Sequence, residues 1–202
     1  MTGSTLLFEK LPSFLINKFS KHSSREIDDF KYVIEQQTRH ILIELDEYRQ
    51  TSPKHAYKSW KVIDFFLRRI HEYCIRQVFG PSGTGSFYVD KDWKKGKKFK
   101  FEHNIPMAVI GEQLLEGHMT VLQAMFPPIT LLSLEKDKIL NLSKNDTGKK
   151  WLVKKTPDIQ NFWKRYEHAG IQINGNFRNV ITNEDVDSKW NLNDHYKMLE
   201  IL

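Results

Sequence analysis

The chain is poor in the residue that staples small secreted proteins: it has one cysteine, Cys74, among 202 residues. A single thiol forms no internal disulfide and no cysteine-rich zinc knuckle, so the expected setting is a reducing, cytoplasmic one. No apolar run reaches the roughly 20 residues of a membrane span, and no membrane partner is expected. The segment from Leu6 to Phe19 is interrupted by Glu9, Lys10, Pro12 and Lys18 and has no small-residue cleavage site, which argues against a secretory leader. Gly83-Thr84-Gly85 runs into a strand pattern and is followed by no Gly-Lys-Ser/Thr, so a nucleotide-phosphate loop is not indicated. There is no Gly-x-Ser-x-Gly elbow and no reactive-looking cysteine, which leaves nucleophilic hydrolase chemistry without support. Internal repeats and low-complexity tracts are absent as well.

What the chain does have is positive charge in two places. Lysine and arginine number 31 against 25 aspartates and glutamates, a net charge of +6. Lys94, Lys95, Lys97, Lys98 and Lys100 cluster next to Trp93, and Lys144, Lys149, Lys150, Lys154 and Lys155 cluster around Trp151. Lysines that release condensed counterions, interleaved with aromatics that stack on bases, suit a nucleic acid, with DNA expected ahead of RNA. The same pattern also describes two solvated lysine-rich loops that keep a protein in solution.

Helical periodicity dominates the first 80 residues. Ser23-Ser24-Arg25-Glu26 is a capping box, and the stripe Ile27, Phe30, Ile34, Ile41, Leu45, Tyr48 follows it. Ser52-Pro53 starts a second helix whose stripe is Ala56, Trp60, Ile63, Leu67, Ile70, Cys74 and Val78, with Gly80 as its stop. Cys74 on that stripe reads as a small buried hydrophobe. The short link predicts a helical hairpin, which also offers a surface for a homodimer.

After the loop 81–85 the pattern changes. Ser86 to Asp90 and Lys97 to Glu102 read as two strands around a turn at Lys95-Gly96. Met107 to Phe126 reads as helix broken near Gly117, Ile129 to Leu132 as a strand, and Leu134 to Leu142 as a helix capped by Ser133. Thr156-Pro157 starts a helix that ends at Gly170. Asn174-Gly175 predicts a β-hairpin between Ile171–Ile173 and Phe177–Ile181, and a closing helix runs from Asn191 to Leu202. The expected organisation is a helical region 1–80 and an α+β region 81–202.

One stretch points to chemistry. Lys97-Lys98-Phe99-Lys100-Phe101 alternates basic and aromatic residues and runs into Glu102-His103, where the chain leaves the sheet before Ile105-Pro106. A carboxylate beside an imidazole is the minimum kit for holding a divalent cation and activating a water. The remaining histidines, His22, His40, His55, His71, His118, His168 and His195, are scattered and read as structural.

The segment Phe101-Glu102-His103-Asn104-Ile105-Pro106, followed by a helix, an apolar strand and another helix, resembles the ββα-metal (HNH) nuclease family over residues 86–142. The resemblance implies a metal-dependent DNA endonuclease using Mg²⁺ or Mn²⁺. His103 would be the general base, Glu102 and Asp137 the metal ligands, and Lys98, Lys100 and Lys138 would hold neighbouring phosphates. The family's central asparagine would fall near Pro128. A PD-(D/E)xK nuclease fits less well: Asp90 or Asp92 supplies a first acid, but Glu102-His103-Asn104 fails as the second motif.

The expected fold is therefore α+β: an N-terminal helical hairpin packed on a ββα-type core, with a C-terminal helix–β-hairpin–helix extension. Two other functions remain open, a non-catalytic nucleic-acid-binding module using the same lysines, and a protein-interaction or inhibitor protein.

Overall fold

The structure, a computed structural model, describes residues 11–50, 56–79, 85–94, 96–143 and 159–202. The expected features at Ser52-Pro53, Gly80, Lys95, the basic segment 144–155 and the helix start at Thr156-Pro157 lie outside the described residues. The protein is α+β, with helices preceding a four-stranded sheet. Among the described residues no helix is long and apolar enough to cross a membrane.

The chain forms two compact units: residues 1–78, 107–126 and 198–202 make the first, and residues 79–106 and 127–197 the second. The break near residue 80 matches the change in sequence pattern, but the segment 107–126 returns to the helical unit. Its composition explains why. Met107, Val109, Ile110, Leu114, Met119, Ala124, Met125 and Phe126 are all buried, as in a helix pair with little exposed face.

In the first unit α1 (Ser13–Phe19) and α2 (Ser24–Gln50) precede α3 (Ala56–Ile70), and α4 (Met107–Leu115) and α5 (Val121–Met125) complete it. The capping box forms: Ser23 N–H donates to Glu26 Oε2 at 2.9 Å and Glu26 N–H to Ser23 Oγ at 3.4 Å. Phe30, Ile34, Thr38, Ile41 and Leu45 form the buried stripe of α2, and α2 packs on α3. The break between α4 and α5 falls at Gly117, whose φ of 76° is natural only for glycine. A second capping box, Thr120 with Gln123, then restarts the helix.

Helix α3 does not end as regular α-helix. It continues as a π-turn over His71–Ile75, which turns His71, Cys74 and Ile75 all inward. His71 Nε2 meets the Ala124 carbonyl at 3.2 Å, near the end of α5, where helix carbonyls lack intrahelical partners. Burial pushes the Cys74 thiol up to about 12, so it behaves as an inert hydrophobe.

In the second unit β1 (Tyr88–Asp90), β2 (Phe99–His103), β3 (Ile129–Ser133) and β4 (Phe177–Asn179) form one sheet in the order β2-β3-β1-β4. Helices α6 (Leu134–Ser143), α7 (Lys164–His168) and α8 (Leu192–Met198) accompany them. β3 runs parallel to β1 and antiparallel to β2, and β4 is antiparallel to β1.

This corrects two expectations. β1 and β2 do not pair with each other around the lysine turn, because β3 lies between them. Ile129, Thr130, Leu131 and Leu132 are all buried, a run that suits a central strand, whereas β2 carries exposed Lys100 and suits an edge. The Asn174-Gly175 turn does form, with Gly175 at φ 77° and Asn176 N–H on the Ile173 carbonyl. Yet Ile171–Ile173 is not a strand, and its two isoleucines are buried in the core. β4 pairs with β1 instead, and its other side is bonded by the downstream segment through Val186 N–H on the Phe177 carbonyl. The C-terminal extension is thus not a helix–hairpin–helix.

One sheet face holds Glu102, Thr130, Tyr88, Asp90 and Phe177, since register places these side by side. An aromatic cluster covers it, with Trp163 5.2 Å from the rings of both Tyr88 and Phe177. Trp190 Nε1 donates to Tyr88 Oη at 2.8 Å, and the same hydroxyl shares a hydrogen bond with Nδ1 of the buried His195, also at 2.8 Å.

The π-turn histidine makes stability depend on pH. Burial lowers the His71 pKa from 6.5 to about 4, with a smaller push from Arg68 and opposition from the Ala124 carbonyl. On acidification the unfolded chain takes up this proton first. The contribution of His71 is therefore complete above about pH 6.5 and falls away as pH drops toward 4. Urea unfolding of the wild type should lose up to about 1.4 kcal/mol per pH unit in this window beyond what His71→Gln loses. Parallel curves for the two proteins would refute this.

Candidate functional site

The acid–histidine pair is split by the strand that carries it. Pairing along β2 is unbroken through Phe101↔Leu131, Glu102↔Thr130 and His103↔Ile129. Successive residues therefore project to opposite faces. Phe101 and His103 share one face, their rings edge-on with centroids 5.4 Å apart, and Glu102 points to the other. Glu102 Oε1 accepts from Arg165 Nη2 at 2.6 Å, and Arg165 Nη1 donates to the His103 carbonyl at 3.1 Å. Arg165, from α7, is buried and clamps the end of the edge strand.

Asp137 is on α6 and partly buried. Both carboxylates act on Tyr166, whose phenol is pushed up chiefly by burial, then by Glu102 and, more weakly, Asp137, against the pull of Arg165 and Thr130. Pro128 contributes a backbone carbonyl, which accepts from Asn104 N–H at 3.0 Å, while Thr130 Oγ1 donates to Asn104 Oδ1 at 2.7 Å. Among the described residues no three histidine, cysteine, aspartate or glutamate side chains converge on a cation-sized space. Glu102 and His103 project to opposite faces and Glu102 is engaged by Arg165, so no chemistry is routed through a Mg²⁺ or Mn²⁺ ion held by Glu102, His103 and Asp137.

A different set of residues meets at the carboxyl ends of the parallel pair β1 and β3, the place where open sheets form crevices. Asp90 ends β1 with its side chain fully buried. Its Oδ1 accepts from Lys136 Nζ at 2.7 Å and from Asp92 N–H at 3.0 Å, and its Oδ2 accepts from Ser133 N–H at 3.2 Å. Lys136 Nζ also reaches Asp92 Oδ2 at 3.2 Å and lies 5.4 Å above the Phe177 ring. A buried carboxylate is tolerated only when its charge is met in this way.

Beside this knot opens a groove of about 460 Å³ lined by Lys91, Asp92, Lys94, Lys97, Lys98, Phe99, Ser133, Leu134 and Glu135. A smaller groove of about 320 Å³ shares Asp92, Ser133 and Glu135 with it. The connection from β1 to β2 folds back at Lys94, whose carbonyl accepts from Lys97 N–H at 3.0 Å, with Gly96 at φ 88°. Lys91 is paired with Asp185 at 2.6 Å, whereas Lys94, Lys97 and Lys98 are exposed and make no ion pair among the described residues. Lys100 is exposed on β2 and does not line the groove. Lys95, Lys149, Lys150, Lys154 and Lys155 lie outside the described residues.

No family model, curated protein or solved structure matches the chain. Its site is therefore read from its own chemistry.

The sequence pattern singled out the first lysine cluster and missed Asp90–Lys136 and Arg165–Glu102. The signal for the former was an acid closing the strand Tyr88-Val89-Asp90 and a lysine one turn after Ser133. For Arg165 no local signal existed, because its partner is 63 residues away.

Removing the Lys136 ammonium leaves the buried Asp90 carboxylate with backbone N–H donors alone and no counter-charge from Lys136. Lys136→Met should cost about 3–5 kcal/mol in chemical denaturation, and adding Asp90→Asn to it should restore much of the loss. A cost below about 1 kcal/mol for the single variant would show that the pair does not hold these strand ends together.

Proposed function

We propose that the second unit binds nucleic acid without cutting it, holding phosphates along the lysine wall of the larger groove. The observation that carries this reading is the grouping of Lys94, Lys97 and Lys98 in the lining of a groove at the carboxyl ends of β1 and β3. Three exposed ammonium groups with no ion pair among the described residues are suited to replacing the condensed cations of a phosphate backbone. DNA is the first partner to test, ahead of RNA. The buried thiol of Cys74 and a nucleic-acid ligand both accord with a cytoplasmic setting.

The hydrolytic alternative, with His103 as general base, draws support from the six-residue likeness and from the order antiparallel β2, β3 and then α6. Against it stand the opposite projections of Glu102 and His103 and the engagement of Glu102 by Arg165.

Anisotropy titrations of labelled DNA across a salt series separate the two. Binding through three phosphates should give a slope of log K on log salt of about −2 to −3. Lys97→Glu with Lys98→Glu should weaken binding by at least about ten-fold and flatten that slope. Chelator and His103→Ala should change neither. Undiminished binding by the double variant would end the proposal, and Mg²⁺-dependent cleavage lost in His103→Ala would reinstate the nuclease.

A further inference from the structure

The lining of the larger groove carries both signs of charge and one aromatic residue. Lys94, Lys97 and Lys98 line the groove together with Phe99, and Asp92 and Glu135 complete the lining. Carboxylates repel phosphate, so they mark the part of the groove where a backbone does not run. Asp92 shares Lys136 at 3.2 Å, while Glu135, at the start of α6, is exposed and makes no ion pair among the described residues. Glu135 is the carboxylate assigned to a ligand's N–H groups. Phe99 is partly buried at the first position of β2, directly opposite Ser133, and lines the groove.

We infer that the groove is a nucleotide subsite for a single strand. Phosphates run along the lysines, a base stacks on Phe99, and the base edge is read by Glu135. A groove of about 460 Å³ is of the size that takes a small organic ligand such as one splayed nucleotide. Stacking on an aromatic next to a basic track is the general device of single-strand binding. A carboxylate accepts and does not donate, so it favours bases that offer donors. Guanine presents two parallel N–H donors to a carboxylate, cytosine and adenine present an amino group, and thymine presents one ring N–H. The expected order is guanine first and thymine last. This inference rests on the nucleic-acid reading above.

The test uses the full chain and a fluorescein-labelled thymidine 12-mer, the same oligomer with one central guanine, and its annealed duplex. Wild type should bind the single strand at least ten-fold tighter than the duplex, and the guanine-containing strand about five-fold tighter than the all-thymine one. Phe99→Leu, which keeps apolar bulk and removes the π face, should weaken single-strand binding about ten-fold and leave the salt slope unchanged. Its thermal melt should match wild type, and Phe99→Tyr should restore affinity. Glu135→Gln should abolish the guanine preference without loss of affinity for the thymine strand.

Equal binding of single strand and duplex, or a silent Phe99→Leu, overturns the subsite and leaves the nucleic-acid reading standing. Displacement of the strand by micromolar dGMP also overturns it, reassigning the groove to free nucleotides. Failure to bind any oligomer at low salt overturns both readings.

Discussion

A carboxylate with no access to water governs the second unit. Asp90 ends β1, and its two oxygens collect an ammonium from α6 and backbone N–H groups from its own loop and from Ser133 of β3. The parallel strands are thus held at their carboxyl ends by a charge that the interior accepts only while all three donors stay in place. Everything in the groove is referred to that point. Ser133 caps α6, Asp92 is held next to Asp90, and the lysine connection departs from the same strand end. A floppy knot would scatter the lysines, and a rigid one lets them act as a surface.

Local rules wrote much of the helical part openly. The Ser23–Glu26 box, the α2 stripe and the Gly117 break depend on residues within a turn or two of each other, and all appear where the pattern placed them. Four of the five expected strands form, Ile171–Ile173 being the exception. Strand partnership was not legible, because the all-apolar run of β3 shows that it is central without showing which neighbours flank it. Asn174-Gly175 is a case in point: the turn is real, but the chain after it finds its pairing with β1 and with Val186 instead of with the chain before it.

The candidate site shows the same division. The lysine cluster is a compositional feature and survives folding as a wall. The Glu102–His103 pairing depended on ending the strand at Glu102. One more paired residue, His103 opposite Ile129, turns the imidazole to the opposite face. Period-two geometry makes adjacent residues on a strand poor partners for one ligand, however suggestive their chemistry. Arg165, which engages Glu102, comes from a helix whose Tyr166 is buried, as is Phe162 just before it.

The discontinuity of the two units has its own consequence. Between β2 and β3 the chain leaves the sheet to supply α4 and α5 to the helical unit, and the last five residues return there as well. No single cut releases either unit whole. Truncation at residue 78 would strip the helical unit of two helices and leave 107–126 attached to a sheet for which it is not core. β3 also reaches its central place only after that excursion, so its contacts with β1 close a loop of about 40 residues, a non-local step that slows folding. Synthesis from the N-terminus therefore leaves β1 without its β3 neighbour until residue 133 has emerged and without β4 until residue 179 has, and the two halves of this protein must be made, and inherited, as one piece.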